Sequence, residues 1–70
     1  MKNPFEGPAP PGWAISTIQI CTADARLAMV RAADARDTAW LEQVLAWPGT
    51  QLTVQRAAQK RLARIRKEAA

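Results

Sequence analysis

A chain of 70 residues with one cysteine, no histidine and no tyrosine excludes an internal disulfide and an ordinary zinc site. At this length only about 60% of the unfolded surface is buried on folding, so a lone core is marginal and a homodimer is the expected aid. The net charge of +4 is uneven, −1 over residues 1–50 and +5 over residues 51–70, which points to an acidic partner: nucleic acid, lipid headgroups or a protein surface.

Residues 1–12 carry Pro4, Pro8, Pro10 and Pro11 with Gly7 and Gly12. Proline lacks the amide donor and restricts its predecessor, so this stretch is neither helix nor central strand. It reads as an extended arm docked through Phe5 and Trp13, or else as a disordered tail. If the two aromatics are ordered, they are expected to wrap a partner subunit. The arm lacks the apolar core of a signal peptide, and no run approaches a membrane span. With a lone free thiol, the expected location is the cytoplasm.

Trp13–Thr22 is rich in β-branched residues (Ile15, Thr17, Ile18, Ile20 and Thr22), which favours strand. Alternation is imperfect, however, and Ile15, Ile18 and Thr22 also line up at helical spacing. A helical or irregular lead-in is expected, with a short strand as the alternative.

A single long helix is predicted over residues 22–47. Thr22 serves as N-cap, Asp24 lies in the first turn, and no Gly or Pro intervenes before Pro48. A row of small residues, Cys21, Ala25, Ala28, Ala32, Ala35, Ala39 and Ala46, repeats at spacings of three, four and seven, as in a helix–helix seam trimmed to methyl groups. Arg31 and Asp34 are placed to pair at the surface. At 1.5 Å per residue this helix would be a rod of about 39 Å. A copy of the chain is expected to cover its alanine seam.

Pro48 and Gly49 end that helix, with Gly49 free to take a positive φ and Thr50 suited to cap the next helix. That second helix is predicted over residues 51–67, its stripe of Val54, Ala58, Leu62 and Ile65 packing on Leu41, Val44 and the tryptophans. A connection this short makes the two helices antiparallel. The predicted fold is therefore all-α: a two-helix antiparallel hairpin over 13–70, preceded by the Pro-rich arm 1–12 and paired as a homodimer.

Catalysis is not expected. Cys21 lacks a usual base, and its place on the seam suggests a small buried apolar group. Asp34 and Asp37, flanked by Arg31 and Arg36, read as surface salt links rather than an acid–base pair. No glycine-rich phosphate loop is present, and no cofactor or metal is implied.

Two surfaces remain. Arg56, Lys60, Arg64 and Lys67 recur at four, four and three along the second helix, with Arg61 and Arg66 beside them and Glu68 placed to pair with Arg64. Such a row could follow phosphates. It lacks interleaved aromatics and is equally the solvated face of a helix rich in Lys and Arg. A ribbon-helix-helix DNA binder fits poorly, because residues 13–20 hold no Lys or Arg. The second surface is the bend, where Arg36, Trp40, Leu41 and Trp47 have the composition of a binding hot spot; the alternative is that the tryptophans fill the core.

The run Arg36-Asp37-Thr38-Ala39-Trp40-Leu41-Glu42, with Leu45-Ala46-Trp47-Pro48-Gly49 and Gln55-Arg56, resembles the small helical anti-activators of quorum sensing carried by transposable phages of pseudomonads. The resemblance covers about a third of the chain and needs a gap, and the Pro-rich arm departs from it. It implies a dimeric two-helix hairpin that binds and inhibits a host transcription activator and a pilus-assembly ATPase. On that basis the chain is expected to be a phage-encoded inhibitor or modulator of a host protein, working in the host cell cytoplasm. Its contact would be anchored by the bend and steered by the basic helix. The other reading is a nucleic-acid binder using Arg56, Lys60, Arg64 and Lys67.

Overall fold

The computed structural model describes residues 3–9 and 13–69. Strand β1 (Glu6–Pro8) pairs antiparallel with β2 (Thr17–Gln19), with Gly7 opposite Ile18. Helix α1 (Ala23–Ala32) follows, then a 3-10 turn (Ala35–Asp37), α2 (Thr38–Ala46) and α3 (Leu52–Ala69). Three α-helices and a small sheet thus replace the expected all-α two-helix hairpin.

The first correction concerns the long helix, which breaks at Ala33 and Asp34, both extended. The residues themselves account for the break. Asp34 accepts from the Arg36 N–H through its carboxylate, while Asp37 accepts from the Asp34 N–H at 3.1 Å. This reciprocal cap satisfies donors at the start of the 3-10 turn, from which the chain runs directly into α2. The Ala33 carbonyl set free by the break accepts from Arg61 Nε at 2.6 Å. A buried carbonyl therefore keeps a partner although the helical ladder has ended.

The break lets α1 and α2 both pack on α3. Arg26 of α1 bonds Gln51 just before α3, and Ala33 meets Arg61 further along; α1 therefore runs parallel to α3. Glu42 of α2 pairs with Arg66 near the far end of α3, so α2 runs antiparallel to it. The longest dimension of the molecule is 32 Å, shorter than the rod of about 39 Å expected for residues 22–47. The uncovered rod that called for a second copy is absent. Ala25, Ala28, Ala32, Ala35 and Ala39 are exposed, but they lie on three elements and not along one seam.

The second correction concerns the lead-in, where the strand alternative describes Thr17–Gln19. The arm supplies the partner. Ile20 N–H donates to the Phe5 carbonyl and Ala9 N–H to that of Ser16, extending the ladder at both ends. Pro8 has no donor to give, and in a two-stranded ribbon it costs little. Gly7, at φ 119°, occupies a backbone region that side chains disfavour.

Phe5 is fully buried and joins Val30, Ala33, Trp40, Leu41 and Val44 over the stripe Val54, Ala58, Leu62 and Ile65. The arm thus docks on its own chain. Phe5 meets Trp40 edge-on at 5.7 Å between centroids and Trp47 at 6.4 Å. Trp13 packs on Trp40 at 5.4 Å and donates through its indole to Asp37 at 3.1 Å. Asp37, expected in a surface salt link, is only 4% exposed. Cys21, expected to be buried, is exposed.

The end of α2 also differs in detail. Gly49 does not take a positive φ; a side chain there would meet the Trp47 ring at 2.5 Å. Thr50 does not cap forward, and its hydroxyl donates back to the Val44 carbonyl at 2.6 Å. Gly49 is therefore needed for close approach. Replacing it with alanine should cost about 1–3 kcal/mol by pushing Trp47 off the aromatic cluster. Thermal denaturation followed by circular dichroism measures this, and an unchanged midpoint would contradict the packing role.

Candidate functional site

A groove of about 590 Å³ lies between α1 and α3. Leu27 and Ala57 are half-buried and provide an apolar floor. Arg31 stands on the α1 side; Arg56, Lys60 and Arg64 rise from successive turns of α3, and Arg61 and Thr53 complete the lining. Among the described residues no acidic side chain lines it.

These cations differ in how far they are already engaged. Arg61 is spent on the Ala33 carbonyl. Arg64 pairs with Glu68 at 3.1 Å, as the spacing predicted, but both side chains are about two-thirds exposed, where such a pair contributes little. Arg31, Arg56 and Lys60 take part in none of the ion pairs among the described residues. The expected Arg31–Asp34 pair does not form, because Asp34 is held by Arg36 at 3.3 Å. Three free cations around an apolar floor create a positive field that nothing within the groove neutralises.

The structure places the other predicted residues differently. Trp40 is 6% exposed and donates through its indole to the Pro4 carbonyl at 2.8 Å, and Leu41 is fully buried. Trp47 is half-buried over Gly49. These three do come together, but within the chain's own core. Arg36 is exposed and borders, with Trp40, a cleft of about 350 Å³ against the arm. On α3, Arg56, Lys60, Arg64 and Lys67 are all exposed, and the first three belong to the groove. Sequence reasoning placed Arg31 in a surface pair and missed its place opposite α3. The only hint was that Leu27 and Arg31 are four apart, one apolar and one cationic on the same side of a helix.

Among the described residues no group of three or more His, Cys, Asp or Glu side chains could hold a metal ion. No helix among them is long and apolar enough to cross a membrane. No family model, curated protein or solved structure matches the chain.

The Arg36 backbone N–H and then its guanidinium hold the Asp34 carboxyl below its ordinary value. A carboxylate depressed in the folded state adds stability that is fully present above its unfolded pKa and lost as the pH falls through the folded one. The urea midpoints of the wild type and of Asp34→Asn should therefore lie apart at about pH 6 and converge below about pH 4. A gap that stays constant with pH would exclude this role for the ionised form.

Proposed function

We propose that the chain is a small non-enzymatic module that binds an acidic surface on another protein through the groove between α1 and α3. The observation that carries this reading is the ring of cations around Leu27 and Ala57, with no carboxylate among the described residues of the lining. Long-range attraction to such a ring steers an acidic partner, and the apolar floor gives the contact a desolvated centre. The bend, with Trp40 and Leu41 inside the core, contributes rigidity to this surface. A module of this kind acts by occupancy, as an inhibitor or modulator does, and that is the role the phage anti-activator resemblance suggests.

A second reading has its own support. The exposed row Arg56, Lys60, Arg64 and Lys67 continues along α3 beyond the groove, in steps of about 4.5 to 6 Å, and such a row can neutralise successive phosphates. Affinity capture from nuclease-treated and untreated host lysate separates the two. The protein reading expects a stoichiometric acidic protein in both, lost when Arg31→Glu and Lys60→Glu are combined. Recovery that disappears with nuclease supports the phosphate reading instead. A captured protein that the double charge reversal leaves in place would overturn the groove assignment.

A further inference from the structure

We propose that the occupant of the groove is an amphipathic α-helix carrying carboxylates on both flanks of an apolar stripe; this rests on the protein-binding reading above. Two features of the lining select the form of the ligand. The first is its hydrogen-bonding character. Arg31, Arg56, Lys60, Arg61 and Arg64 donate only, Leu27 and Ala57 do neither, and among the described residues of the lining the Thr53 hydroxyl is the single side-chain acceptor. An extended peptide laid here would bring backbone N–H groups to a wall without acceptors, at a cost for each left unpaired. A helix satisfies its own backbone and asks only for side-chain complements.

The second feature is shape. The groove lies between two helices running in the same direction, and its α3 wall extends from Thr53 to Arg64, about 16 Å or three turns. Ala57 is small enough to let a third helix approach closely, and with Leu27 it offers a seat for one apolar side chain. Arg31 on one wall, and Arg56, Lys60 and Arg64 on the other, then face carboxylates on either side of that seat. A nucleic-acid strand would find no aromatic platform among these residues and no use for the floor.

The test is a fluorescence-anisotropy titration with a labelled, helix-stapled peptide of about 18 residues. Leucines every three and four positions form its stripe, with glutamates on both flanks. A second peptide has the same composition rearranged to destroy the stripe, and a duplex DNA oligonucleotide is the third probe. The striped peptide is expected to bind about tenfold or more tightly than the rearranged one. Lys60→Glu should remove that binding; because the side chain is exposed, an unchanged circular dichroism spectrum verifies the fold. Equal binding of both peptides would overturn the helix proposal and leave the protein reading standing. Failure of both peptides would overturn the two together, and DNA binding tighter than either, falling steeply with salt, would transfer the site to phosphates.

Discussion

The guanidinium of Arg26 is the group on which the rest of the structure depends. Arg26 as a residue is only 8% exposed, and it belongs to no ion pair among the described residues. Removing a charge from water without a counter-charge costs several kcal/mol unless other interactions replace hydration. Here its Nε donates to the Ile20 carbonyl and Nη1 to Gln51 Oε1, both at 2.9 Å. Its Cζ lies 4.7 Å from the Phe5 ring centre and 5.5 Å from that of Trp47, contacts each worth up to about 2 kcal/mol when desolvated. One side chain thereby joins the arm, the end of β2, α1, the bend and the start of α3.

This arrangement also answers the problem of size. A chain this short, with one cysteine, has no internal disulfide with which to hold itself together, and the break at Ala33 divides residues 22–47 into shorter helices. Folding the arm inward supplies Phe5 and draws Trp13, Trp40 and Trp47 into a shared cluster. The same fixation sets α1 alongside α3, because Arg26 ties one end of α1 to Gln51 and Arg61 ties the other at Ala33. The cationic groove is what lies between those two ties. Arg31, Arg56 and Lys60 stay outside the ion pairs among the described residues, in which Asp34 is taken by Arg36, Glu42 by Arg66 and Glu68 by Arg64.

Patterns internal to one helix were legible in the sequence. Thr22 caps α1, accepting from Ala25 N–H at 3.2 Å, and the stripe Val54, Ala58, Leu62 and Ile65 is buried as its spacing requires. What depended on distant residues was not legible. Helix propensity over 22–47 is high throughout, and only the Asp34-Ala35-Arg36-Asp37 sequence marks a new start. That signal decides the outcome only because Trp13 and Arg61 bind the broken segment from elsewhere. Likewise the prolines of the arm argued against helix, and its described residues 3–9 form a strand and turn, the rest of the arm lying outside the described residues; nothing local showed that Phe5 would reach the core. The cationic row on α3 was visible; the groove was not, since it needs Arg31 brought across from α1.

The claim that the arm is part of the core, and not an appendage to it, is tested most directly by native-state hydrogen exchange. The Trp40 indole N–H, bonded to the Pro4 carbonyl, and the Ile20 amide, bonded to that of Phe5, report on the arm. Protection of both groups equal to that of the buried turns of α3 is predicted, with exchange only through global unfolding. Exchange at these two groups faster than in α3 by about two orders of magnitude or more would show that the arm opens alone and contradict the account.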